Sequence, residues 1–279
     1  MTANGNADVD GATVTGDTFA DILVAVADGI GTLTINRPHR GNTVRPQTLA
    51  EICRAMDLLT ADDAVTAIVI RAEGKNFSAG ADFGFLDELT RMSATEIKSQ
   101  IYAHFQGAAR RIYLCPKPTV AIVAGAAVTV GCELALACDF RVAADDAFFQ
   151  ESWIRLGIMP PLGGLFLLPR LIGLGRASQM VLRGQVVKAA EAERIGLVSE
   201  VVPLAELEAR GRALAGELAA TAPLAYAAIK QALHRGLETG METEWSANVL
   251  NQAILLGTAD FREGLSAVKE KRAPDFTGA

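Results

Sequence analysis

Between Asp21 and Pro38, two short apolar runs, ILVAVA and IGTLTI, flank Asp28-Gly29. Two β-rich runs around Asp-Gly predict an antiparallel hairpin, because that dipeptide accepts the positive φ angles of a tight turn. The period then changes. Leu49, Ile52, Cys53, Met56 and Leu59 recur at the spacing of one helix face. Val65 to Ile70 follows as a continuous β-branched run, as expected of a strand buried on both sides. A polar loop, AEGKNFSAGAD, leads to FGFLDEL and a longer helical region up to about Leu114. PTVAIVAG predicts the next buried strand, VGCELALACD a helix, and FRVAADDAFF a strand and turn ending near Gln150.

Strands and helices thus alternate, which implies parallel strands joined by crossover helices. Beyond about Gly163 the pattern is mostly helical, and only LVSEVV predicts a further strand. From Pro203 on, Leu204, Leu207, Leu214 and Leu218 form an apolar stripe that needs another surface to cover it, and oligomerisation is one way to supply it. With 279 residues, half of them apolar, the chain is long enough for one large α/β domain or a core with a smaller appendage.

Charge and composition narrow the partners. A net charge of −6 argues against nucleic acid, whose phosphates need a basic face. Cys53, Cys115, Cys132 and Cys138 lack CxxC spacing and His39, His104 and His234 lie far apart, so neither a disulfide framework nor a metal site is expected. Residues 1–19 have no basic and apolar signal-peptide regions and read as a disordered leader, which gives a cytoplasmic setting. The apolar stretch from Pro118 to Cys138 is interrupted by Gly125, Gly131 and Glu133 and reads as core rather than membrane span.

Glu133 is the only charged side chain between Lys117 and Asp139. An unpaired carboxylate out of water is costly or raises its pKa, so its isolation points to a task. The plainer alternatives are a Glu on an exposed helix face, or one end of a structural ion pair with a distant Arg. Two glycine-containing loops, FSAGAD and AGAAVTVGCEL, each follow a buried strand and precede a helix. Converging N–H groups from two such loops would stabilise negative charge on a carbonyl oxygen. Taken singly, Gly80 and Gly131 need do no more than permit tight turns. GxxxxGK[ST] is absent, so neither loop is a P-loop.

INRPHRGNTV, NFSAGADFGFL, AIVAGAAVTVGCELALACDFRVA, LGIMPPLGG and EKRAPDF, in that order and spacing, resemble the crotonase superfamily, or enoyl-CoA hydratase/isomerase family, from about Asp21 to Gly278. The resemblance implies an α/β fold: a spiral of ββα units over 20–202 that binds acyl-CoA. A helical C-terminal region over 203–279 would serve trimerisation and pocket closure, giving a homotrimer or a dimer of trimers. It further implies an acyl-CoA thioester substrate, an enolate stabilised at the thioester carbonyl, and no cofactor beyond the substrate's coenzyme A. The oxyanion N–H groups fall on Ala81 and on Val130, where the family usually has glycine and a β-branched residue restricts φ/ψ and substrate approach. Coenzyme A contacts fall on His39, Arg40, Ala79, Ala81, Asp82 and Phe83, with Lys271 or Arg272 toward the ribose phosphate. For any one of these basic side chains a solvated role is the ordinary alternative.

Glu133 corresponds to the first catalytic glutamate of the hydratases, whereas Trp153 occupies the place of the second. Glu151, two residues earlier, would point to the same face as Trp153 in an extended segment and is a candidate substitute. Trp153 offers an apolar wall and one N–H donor for the acyl group or enolate, or simply fills space. Related dehalogenases and dienoyl-CoA isomerases carry an acid where this chain has Pro161, which disfavours both reactions. The leading expectation is acyl-CoA chemistry with Glu133 as the single general acid/base: isomerisation or hydrolysis, with hydration compromised by the lost glutamate. The alternative is a non-catalytic acyl-CoA binder. A redox nucleotide protein is disfavoured by the absence of GxGxxG after the first buried strand.

Overall fold

Asp28 and Gly29 both take positive φ (50° and 75°), turning β2 (Ile22–Ala27) back on β3 (Ile30–Ile35) as the alternation predicts. The computed structural model describes the main chain of residues 13–14 and 18–279 and the side chains of 18–99 and 102–279. Most of the expected leader therefore lies outside the described residues. Within it, β1 (Thr13–Val14) pairs antiparallel with the edge of β2.

After the hairpin come α1 (Pro46–Ala61) and β4 (Ala67–Ala72), then α2 (Phe83–Leu89), α3 (Ala94–Glu96) and α4 (Tyr102–Tyr113). The middle of the chain is β5 (Thr119–Val123), β6 (Ala126–Val128), α5 (Val130–Leu136), β7 (Phe140–Ala144) and β8 (Phe148–Gln150). It continues with α6 (Gly164–Ile172), α7 (Leu174–Arg183), β9 (Val186–Lys188), α8 (Ala189–Arg194) and β10 (Glu200–Val202). Four helices close the chain: α9 (Leu207–Ala219), α10 (Pro223–Gly236), α11 (Met241–Leu255) and α12 (Ala259–Glu270).

One sheet has the order β1-β2-β3-β4-β5-β7-β10, parallel from β3 onward; a second, smaller sheet has the order β6-β8-β9. β6 and β9 are strands that the sequence pattern leaves within a loop and a helical region. Each is three residues long, too short for a period to show; β9 is defined by pairing with β8, and β6 by pairing with β8 and with Ser78.

Alternate residues of the parallel strands face two cores. Ile68, Ile70, Ala121, Val123 and Ala143 meet the cluster that contains Leu49, Ile52 and Met56 of α1. Ala67, Val69, Val120, Ile122, Val142 and Ala144 meet Leu207, Leu214 and Ala215 of α9. The Leu207–Leu214 part of the C-terminal stripe therefore covers the chain's own sheet rather than awaiting a partner. Gly211 makes the close approach: a Cβ there would stand 2.4 Å from Ile122 Cδ1. Uncovered apolar surface remains elsewhere, including on α11 and α12. There Trp245, Val249, Ile254 and Val268 are each more than 60% exposed (62%, 68%, 69% and 79%).

Candidate active site

The two glycine loops are stitched together edge to edge. Phe77 N donates to Ala124 O (2.8 Å), Ser78 N to Ala126 O (2.8 Å), and Val128 N to Ser78 O (2.9 Å). Glycine is required at both crossings, since a Cβ on Gly80 would lie 2.3 Å from Thr129 Oγ1 and one on Gly131 2.5 Å from Ser78 Cβ. Ala81 is clamped between Val44 N donating to Gly80 O and Asp82 N donating to Val44 O. Val130 opens α5, so its N–H has no acceptor within the helix. The expected backbone restriction at Val130 falls one residue earlier. Thr129 carries the strain, with φ 46° and ψ −111°, while Val130 enters the helix. Val130 is also fully buried, so its side chain packs in the core rather than narrowing an open approach.

Glu133 projects from the first turn of α5 and is 1% exposed, which removes the exposed-face reading. No cation pairs with it among the described residues, which removes the ion-pair reading. Dipoles hold it instead. Its Oε1 accepts from Leu162 N (2.9 Å) and Gly164 N (2.8 Å), and its Oε2 accepts from Trp153 Nε1 (3.3 Å). Burial raises its pKa to about 7 against the lowering pull of these donors. Leu162 and Gly164 were not singled out by the sequence, although the Gly163-Gly164 pair was a signal: a Cβ on Gly164 would lie 3.0 Å from Glu133 Oε1.

Glu151 follows β8 directly and is 0% exposed. Trp153 begins a short 3₁₀ turn (Trp153–Leu156) instead of continuing an extended strand, so the alternating-face argument does not apply to it. Glu151 nonetheless lies in the same interior. The Glu133 charge acts on it, and the Cys132 thiol and Trp153 indole are near enough to pull its pKa down, yet neither reaches hydrogen-bond geometry with its oxygens. Burial first, then the neighbouring Glu133, pushes its pKa well above the carboxyl range, and burial likewise pushes up the Cys132 thiol.

The remaining candidates lie toward the surface. His39 and Arg40 form a short exposed turn; Ala79 and Phe83 are exposed, Phe83 at 73%. Asp82 faces inward chemically: it caps α2 by accepting from Gly84 N (3.0 Å) and pairs with Arg37 Nη2 at 3.1 Å. Lys271 caps the C-terminus of α12 and Arg272 follows it, in a part of the chain separate from the 37–45 segment. Arg272 is held by Glu263 and Glu270, leaving Lys271 as the unpaired cation of the two among the described residues.

The sequence model of the enoyl-CoA hydratase/isomerase family matches residues 25–279. The chain belongs to that family. A crotonyl-CoA hydratase of Syntrophomonas wolfei is 37% identical over 92% of this chain and 98% of that protein. A 2,3-dehydroadipyl-CoA hydratase of Escherichia coli is 34% identical over 93% of this chain and all of that one. The crystal structure of a Bacillus anthracis enoyl-CoA hydratase superposes with a TM-score of 0.86 at 30% identity, covering 93% of this chain and 100% of that chain. The protein is thus an acyl-CoA-processing enzyme of the enoyl-CoA hydratase/isomerase family with the crotonase fold. Among the described residues no helix is long and apolar enough to cross a membrane.

Proposed function

We propose that the enzyme forms a thioester enolate whose oxygen is held by the Ala81 and Val130 amides, with Glu133 as the single general acid/base on enoyl-CoA carbon. The observation that carries this reading is the setting of Glu133: buried, held by three dipolar donors and paired with no cation, so that burial lifts its pKa to about 7. A group near neutrality both takes and returns a proton at working pH. The Ala81 and Val130 amides stand on loops locked together by Ser78, which favours fixed donors over mobile ones.

One carboxylate suffices to shuttle a proton between carbons or to assist a water in hydrolysis, whereas hydration as divided between two ionisable carboxylates is compromised by Trp153. The names of the relatives favour a 2-enoyl-CoA ester as the substrate class. Coenzyme A would lie along His39, Arg40, Ala79 and Phe83, with the backbone of Ala81 and Asp82, and Lys271 rather than Arg272 would be the free cation for a phosphate. A cavity of about 510 Å³ lies against the loop that holds Glu133, with Pro161, Leu162 and Leu167 as an apolar wall and Gln106, Arg110 and Glu238 as a polar one. The exposed apolar faces of α11 and α12 support assembly as a homotrimer or dimer of trimers, with 20–202 as the catalytic core and 203–279 as the assembling region. Four buried, unpaired cysteines suit the reducing cytoplasm.

Full burial of Trp153 in place of a second carboxylate favours one other reading, an acyl-CoA binder without turnover. Glu133→Gln assayed on a panel of enoyl-CoA esters separates the two. Loss of turnover by ~10²–10⁴-fold with binding retained is expected of acid/base catalysis. Binding without turnover in the wild type, unchanged by the substitution, establishes the binder.

A further inference from the structure

Glu133 and Glu151 are both buried beside the Trp153 indole, and an indole has one N–H to give. Trp153 gives it to Glu133 Oε2 at 3.3 Å. The two amides of the Leu162–Gly164 loop also go to Glu133, so that carboxyl has three donors and Glu151 has none. Two carboxyls adjoining in a closed interior do not both ionise near neutral pH, and charge settles where hydrogen-bond donors await it.

We propose that Glu151 is held in the Glu133 site as a neutral carboxylic acid, keeping the pair's proton and leaving the charge on Glu133. The inference rests on the reading of Glu133 as the acid/base and adds a group that touches neither substrate nor reacting carbon. No bond to Glu151 forms or breaks in turnover: Glu133 takes a proton from carbon and returns it, while the Glu151 O–H stays intact.

The surroundings of Glu151 agree. The titratable groups acting on it are Glu133 and Cys132, both from α5, with the Trp153 indole from its own side; no lysine or arginine is among them. Arg155, the nearest cation along the chain, donates to Gly184 O instead (3.2 Å). Arg141 acts on Cys132 and spends its guanidinium on the carbonyls of Leu197, Ala135 and Cys138. An ionised Glu151 would therefore be a buried charge without compensation, whereas the neutral acid forfeits one hydrogen bond. Its neutrality also serves the chemistry. A second negative charge would oppose the enolate forming in the same enclosure and would raise the proton affinity of Glu133.

Infrared difference spectra locate the proton without any substrate. At about pH 8, above the ordinary range of carboxyl groups, the wild type should show a protonated-carboxyl C=O band that survives in Glu133→Gln and vanishes in Glu151→Gln. Should Glu151→Gln not fold, the wild type and Glu133→Gln spectra still decide, since the proposal requires the band in both. The kinetic arm compares kcat/KM profiles. Wild type should lose activity at alkaline pH as Glu151 ionises; Glu151→Gln should lack that limb and keep the acid limb of Glu133 where it was. A band missing from wild type or persisting in Glu151→Gln overturns the proposal, as does an alkaline limb that Glu151→Gln leaves unchanged. If the functional reading of Glu133 is wrong, no enoyl-CoA turns over, yet the infrared result stands by itself.

Discussion

Two acidic clusters support the two glycine loops, and they are built on opposite principles. Near the first loop, Asp21 is 3% exposed and compensated by charge: Arg45 Nε donates to it at 2.7 Å, Thr48 Oγ1 at 2.6 Å, and Arg37 stands 3.5 Å away. Burial pushes its pKa up, but Arg45, Thr48 and Arg37 together hold it below the usual value. Beside the second loop, Glu133 and Glu151 are buried at least as deeply, and no cation compensates either. The contrast separates an acid that holds the fold from one kept available for protons. A full positive partner fixes an acid in its ionised form, whereas neutral dipoles leave it near the point where both forms coexist.

Charge removal should therefore act on different properties in the two clusters. Glu133→Gln should cost ~10²–10⁴-fold in turnover while leaving the denaturation midpoint close to wild type at acid pH, where Glu133 is itself neutral. Asp21→Asn should cost ~1.5–3 kcal/mol of stability, read from urea unfolding, because it weakens several charge-assisted hydrogen bonds at once. Equal stability losses in the two variants would break the distinction.

Gly164→Ala tests the dipolar cradle without touching a charge. The new Cβ, 3.0 Å from Oε1 and 3.2 Å from Cγ of Glu133, displaces the carboxyl, and kcat should fall on the order of 10²-fold with little change in acyl-CoA affinity. Unchanged kcat would mean that the position of Glu133 is not set by this loop.

The pH dependence of stability should run in opposite senses. The folded state holds the Glu133 proton more tightly than the unfolded chain, so its contribution is full below 4.5 and is lost as pH rises through about 7. Asp21, whose pKa is depressed, contributes above its ordinary 3.8 and loses that contribution as pH falls through its lowered value. Thermal midpoints across this range should show both slopes, with Glu133→Gln flattening the upper one and Asp21→Asn the lower. Thr129→Gly should have the smallest effect, a stability gain of ~1 kcal/mol: relief of the positive-φ strain is partly offset by the greater freedom of glycine in the unfolded chain.

Which parts of this were legible beforehand follows from the range of the forces involved. The hairpin at Asp28-Gly29, helix α1 and the buried strands β4 and β5 depend on neighbours within a few residues, and a period of two or 3.6 records them. The isolation of Glu133 in an apolar run was equally visible, since it too is local. The Leu162 and Gly164 amides are 29 and 31 residues away from the carboxyl they hold, and no local pattern links them. Strain on Thr129 instead of Val130 depended on where α5 begins relative to the packed Ser78 loop.

By itself the sequence determined the alternation of strands and helices, the family, and the presence of one acid where water is excluded, because each is written in contiguous residues and their periods. Tertiary structure alone decided that three donors converge on Glu133 and none on Glu151. Hydrogen-bond partners and desolvation belong to whatever the fold brings within about 3 Å, and chain order does not fix that distance.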